Sequence, residues 1–145
     1  MIEYYSKENA ITAFKAFNED FICRSFQYEV GKSYHMDGEI MICKRGFHAC
    51  KSPLDIFDYY PIFNSKIAIV KLWGNVDLQL GMDHPAMKIY NRKLCASDIS
   101  IEKELNYTEL IQYFMNFSKT QGCEYDFLMC SYCNLISGKK IYFQS

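Results

Sequence analysis

Short strand-like apolar patterns, one of them alternating at period two, fill much of the first hundred residues, and apolar residues then recur at helical spacing, so the chain reads as β-rich up to about Leu105 and helical after it. Thr12-Ala-Phe-Lys-Ala-Phe17 forms a short strand pattern, and Ile22, Arg24, Phe26, Tyr28 and Val30 alternate with Cys23, Ser25, Gln27 and Glu29 as a second one before a turn at Gly31. Tyr34 to Gly38 reads as loop, and Glu39 to Cys43 and Gly46 to Cys50 as two strands around Lys44-Arg45. Ser52 before Pro53 is a capping pair for a short helix from Pro53 to Tyr60, which Pro61 stops. Lys66 to Trp73 is apolar on both faces, which predicts a central strand covered on each side. Gly81 to Pro85 reads as loop, and Lys93 to Ile101 as a further strand.

Beyond Leu105, Tyr107, Leu110, Ile111, Phe114 and Phe117 mark one face of a helix over about 107–119, with Asn106 and Glu109 as a capping box. Tyr125, Leu128, Met129, Tyr132, Leu135 and Ile136 repeat the pattern up to Gly138, and Thr120-Gln-Gly122 separates the two. The expected fold is α+β: a mixed or antiparallel sheet with a short helix after the Gly46–Cys50 strand and an antiparallel helical pair over one sheet face. With no repeat or linker, 1–145 reads as a single domain, 12–105 its β-rich part and 106–138 its helical pair.

Composition sharpens this picture. Half of the 145 residues are apolar, and 12 tyrosines, 11 phenylalanines and Trp73 supply large burial units, so a packed core is expected rather than disorder. Charge is nearly balanced, 16 basic against 17 acidic side chains. The two signs are mixed along the chain, which disfavours both a basic nucleic-acid footprint and an acidic surface imitating DNA. Charges interrupt every apolar run far short of a membrane span, and the amino terminus lacks a signal-peptide pattern, so the expected address is the cytosol.

Seven cysteines, an odd number, are then expected as free and mostly buried thiols. Cys43, His48 and Cys50 with Cys130 and Cys133 form the alternative, a zinc site, although their spacing is not a standard ligand pattern. Cys50 and His48, two apart on a strand, share a face, but no acid or amide is identifiable to orient the imidazole for nucleophilic catalysis. His35 and His84 sit beside Asp37 and Asp83 as turn residues. Tyr59, Tyr60 and Phe63 are expected to pack the short helix onto the sheet. Tyr4 and Tyr5 lie on an amino terminus expected to be loose.

The segments Cys23–Lys32, Asp37-Gly-Glu39, Gly46-Phe-His-Ala-Cys50 and Pro53-Leu-Asp-Ile-Phe-Asp-Tyr-Tyr-Pro61 resemble an uncharacterised protein family common in phages and prophages, over roughly residues 12 to 105. That resemblance implies a viral or mobile-element setting and no mechanism. Gly46 to Tyr60, followed by the Lys66–Trp73 strand, is also similar in layout to the nicotinamide-pocket segment of ADP-ribosyltransferases. This likeness implies NAD as cofactor, with His48 and Tyr59 flanking the nicotinamide and Lys15 at the ribose. Glu102 or Glu104 would be the carboxylate that stabilises the developing oxocarbenium charge. Lys15 stands where such enzymes carry His or Arg, and His48 where they carry an aromatic ring.

The leading expectation is therefore a small phage-type protein that needs no cofactor. It would bind another macromolecule, a host or defence-system protein such as a CRISPR effector, through aromatics such as Tyr113 and Tyr132. NAD-dependent ADP-ribosyl transfer is the alternative.

Overall fold

The computed structural model describes residues 2–53, 56, 64–78 and 93–121. Among these residues eight strands, β1 (Ile2–Tyr5), β2 (Ile11–Phe17), β3 (Ile22–Cys23), β4 (Phe26–Gln27), β5 (Ser33–His35), β6 (Phe47–Cys50), β7 (Lys66–Leu78) and β8 (Lys93–Glu104), precede the helix α1 (Tyr107–Gln121). Every strand pairing is antiparallel.

The frame is the β7–β8 pair, aligned from Ala68 opposite Glu104 to Leu78 opposite Leu94. Strands β1 and β2 occupy the outer edge of β7, and β5 and β6 the outer edge of β8. The sheet then curls on itself, because β2 also meets β6 through the single pair Phe14 opposite Cys50. The result is a small barrel-like core closed at one seam. Inside it Phe17, Val70, Leu72, Val76, Leu94, Ile99 and Ile101 are fully buried, each worth roughly 1.5–3 kcal/mol of removal from water.

Two bulges bend the frame. At Gly74, Gly74 and Asn75 stand between the pairs Trp73–Asp98 and Val76–Ala96, where β8 supplies Ser97 alone. Gly74 has φ +80°, and a Cβ there would meet Ser97 Oγ and Asp98 Oδ2 at 2.2 Å, so only glycine fits. The second bulge places Glu102 as the extra residue on β8 between the pairs Ile69–Lys103 and Val70–Ile101.

The strands expected at Thr12–Phe17, Gly46–Cys50, Lys66–Trp73 and Lys93–Ile101 are present, the last two longer than expected. The helix at 107–119 is present as well. Its capping box is built as the sequence implies: the Glu109 amide donates to Asn106 Oδ1 at 2.8 Å, and the Asn106 amide to Glu109 Oε1 at 3.3 Å.

Four local expectations are corrected. The alternating run from Ile22 to Val30 is a hairpin and not one strand: Arg24 and Ser25 both adopt left-handed backbone (φ 50° and 65°), the conformation of a two-residue hairpin turn, with none of the usual Asn or Gly. Tyr34–Gly38 contributes strand β5, because the open edge of β8 pairs with residues whose own sequence favours a loop. Glu39–Cys43 is not a strand but leads into a turn over 42–44 closed by Met41 and Arg45: the Ile42 amide donates to Asp77 Oδ2 and the Cys43 amide to His48 Nε2, so neither enters a strand ladder. The amino terminus is a paired strand, with Tyr5 against the core.

The expected helix at Pro53–Tyr60 falls largely outside the described residues, as do the loop at Gly81–Pro85 and the second helix of the terminal pair; Ser52, Pro53 and Ile56 are buried. Among the described residues no helix is long and apolar enough to cross a membrane.

Candidate functional site

The seam between β2 and β6 is where the fold leaves its backbone groups to side chains. Beyond the Phe14–Cys50 pair the two strands separate. Lys15 points inward from β2 into this gap, only 4% exposed, and its Nζ donates to the main-chain oxygen of His48. The ammonium also lies over the rings of Phe17 and Tyr28, 5.8 and 5.4 Å from their centres. Burial pulls the Lys15 pKa below the ordinary lysine value; the nearby thiols of Cys23 and Cys50 oppose this, and Arg24 adds to it.

His48 is fixed by the backbone at both nitrogens. Its Nε2 accepts the Cys43 amide at 2.8 Å, which leaves Nδ1 as the protonated nitrogen, 3.0 Å from the Gly46 oxygen to which it donates. Burial first, and then the positive charge of Arg24, push its pKa down to about 4. The ring is neutral near pH 7, and binding a metal or accepting a proton at Nε2 would require giving up the Cys43 amide.

Lys15, Arg24, His48 and Cys50 line a concavity of about 110 Å³ together with Cys23, Lys93 and the apolar Phe14 and Ile56. A second hollow of about 200 Å³ shares Lys15, Cys23, Arg24 and His48 with it and extends over Phe26, Phe47, Lys44 and Arg45. Five cations thus face the two hollows, and among the described residues lining either there is no carboxylate. Lys93 Nζ approaches Cys43 Sγ at 3.4 Å, and Arg45 donates to the main-chain oxygens of Glu39 and Asp37. Arg24 makes no ion pair with a described residue.

Of the residues singled out from sequence, Lys15 and His48 come together here. Glu102 and Glu104 do not. Glu102 lies 3.6 Å from Lys71 Nζ, and Glu104 lies 3.4 Å from Lys66 Nζ on a different concavity, which it shares with Glu19, Asp20 and Asn106. Tyr59, Tyr132, Cys130 and Cys133 lie outside the described residues. Tyr113 projects from α1, 39% exposed, and meets Phe14 edge to face at 5.4 Å between centres.

Cys23, Cys43, Cys50 and Cys95 are free thiols, all but Cys43 buried, and among the described residues no three His, Cys, Asp or Glu side chains cluster to hold a metal. His35 stands between two carboxylates, Nδ1 2.8 Å from Asp98 and Nε2 2.8 Å from Asp37.

Sequence reasoning missed Arg24 and Lys93. Arg24 reaches the site from a hairpin tip that has no turn residues to announce it, and Lys93 by the register of β8 against β6, which local pattern does not contain.

No curated protein and no solved structure matches the chain. A family model matches residues 11–113, a span that includes β2–β8, the seam and the first turns of α1, and the chain therefore belongs to the family described as Domain of unknown function (DUF7666).

Proposed function

We propose that the protein acts by binding a small anionic molecule in the concavity at the β2–β6 seam. The observation that carries this reading is Lys15 and Arg24 on one hollow whose described lining holds no carboxylate, in a chain whose overall charge is only −1. Positive charge concentrated against low-dielectric walls attracts an anion more strongly than the same charges in water. The Arg24 guanidinium offers the planar fork suited to a carboxylate or phosphoryl group. Phe14, Ile56 and the buried thiols supply the apolar wall that strips water from it.

Calorimetric titration with inorganic phosphate, pyrophosphate, short carboxylates and NAD tests the proposal. Saturable binding of at least one of them, weakened about tenfold or more by Arg24→Gln and unchanged by Lys71→Gln, is the expected result. Absence of saturable binding across the set, or equal loss in both variants, overturns it.

ADP-ribosyl transfer from NAD is the second reading, favoured by Lys15 and His48 meeting at one hollow. It takes second place because Glu102 and Glu104 are engaged with Lys71 and Lys66 elsewhere. Transfer of label from NAD to a lysate protein, abolished by Glu102→Ala or Glu104→Ala, would reverse that order. A phage setting, and docking on a host defence protein, are supported by sequence resemblance alone.

A further inference from the structure

A lysine in a barrel interior needs an explanation beyond anion attraction, since an exposed cation would attract an anion without the cost of burial. Lys15 donates to the neutral main-chain oxygen of His48, with the Cys23 side chain as a second hydrogen-bond partner, and no described carboxylate lines its surroundings. Its Nζ thus has no described carboxylate beside it and stands on the wall that both hollows share. Burial, which outweighs the opposing effect of the Cys23 and Cys50 thiols, favours the uncharged amine, the form with a nucleophilic lone pair. With one N–H donated to His48, the amine stands on the hollow that Arg24 also lines.

We propose that Lys15 is a carbonyl-reactive amine that condenses with a short oxo acid, a molecule whose carbonyl carbon lies one bond from a carboxylate that Arg24 holds. This rests on the anion site proposed above and names the chemistry of its ligand. The hollow of about 110 Å³ admits a molecule of a few heavy atoms. The lone pair of Nζ attacks the carbonyl carbon, forming the C–N bond while the π pair moves onto oxygen. The resulting carbinolamine loses that oxygen as water, which carries away the two amine protons, and a C=N bond remains. No electron is gained or lost overall. When the imine is protonated, its N–H donates to the same His48 oxygen that held the amine.

The experiment treats the whole protein with glyoxylate and cyanoborohydride, which reduces the imine to carboxymethyl-lysine, and locates the product by peptide mass spectrometry. The expected outcome is early, saturable modification of Lys15 ahead of the exposed Lys32 and Lys71. Excess phosphate should suppress it, and Arg24→Gln should slow it about tenfold. Acetaldehyde, which lacks the carboxylate, should react at Lys15 no faster than at the exposed lysines.

Labelling of exposed lysines with Lys15 untouched overturns the proposal; if phosphate still binds saturably and loses affinity in Arg24→Gln, the anion site survives that result. Modification of Lys15 that neither phosphate nor Arg24→Gln slows overturns both. Lys15→Met, checked by circular dichroism for a retained fold, should abolish the early product.

Discussion

His48 and His35 respond to pH with opposite signs, because one is buried against backbone and the other is exposed between carboxylates. The folded-state pKa of His48 is lowered from 6.5 to about 4, so the unfolded chain takes up a proton there before the folded one does. Its contribution to stability therefore falls as pH drops from 6.5 toward 4. Urea midpoints measured across that interval should fall more steeply in the wild type than in His48→Gln, where this titration is missing. His35 is raised above 6.5, first by its hydrogen bond to Asp37 and then by the one to Asp98. Its stabilisation is complete below 6.5 and disappears as pH rises through its folded-state value. His35→Gln should flatten that alkaline decline, and added salt should shrink the difference, since the ring is exposed.

At the scale of elements, the entry to α1 and the bend in β7 are the two places where one side chain, or the lack of one, decides local structure. Asn106→Ala removes the acceptor of the Glu109 amide and should cost about 1 kcal/mol in denaturant unfolding. Glu109 carries a second role: its ion pair with Lys103, and then its bond to the Asn106 amide, hold its pKa below the usual carboxylate value, so acid should weaken this helix start. Gly74→Ala forces a Cβ against Ser97 and Asp98 at a left-handed backbone position, and a loss of roughly 1–3 kcal/mol is expected. Ser25→Gly should move the other way by a few tenths of a kcal/mol, because glycine adopts the left-handed hairpin position without steric cost.

Among the described residues the molecule is a long two-stranded frame closed through one residue pair, and that asymmetry sets where it opens. Amide exchange should be slowest along the paired interior of β7 and β8 and faster at β2–β6, where Phe14 and Cys50 alone bridge the strands. A bound anion at the seam should slow exchange there more than in the frame. Equal protection throughout would contradict closure at a single weak point, and with it the reason for the hollows lying where they do.

Much of this was legible locally. The strand at Lys66–Trp73 follows from an apolar run on both faces, and α1 from helical spacing behind Asn106, because an element that must be buried writes that need into neighbouring residues, whereas the period-two run Ile22–Val30 folds as a hairpin. Lys15 and His48 were singled out by resemblance, yet only the fold shows that their meeting runs through a main-chain oxygen and leaves both candidate glutamates elsewhere. The strand Ser33–His35 and the turn between Met41 and Arg45 are set by groups outside them, the edge of β8, Asp77 and His48, and the hairpin turn at Arg24-Ser25 carries no turn residue of its own. Sequence by itself determined which residues prefer strand or helix and which must be buried. Tertiary structure decided which strand edges meet and which cations surround the seam, because register and closure are properties of pairs far apart along the chain, and no local pattern encodes them.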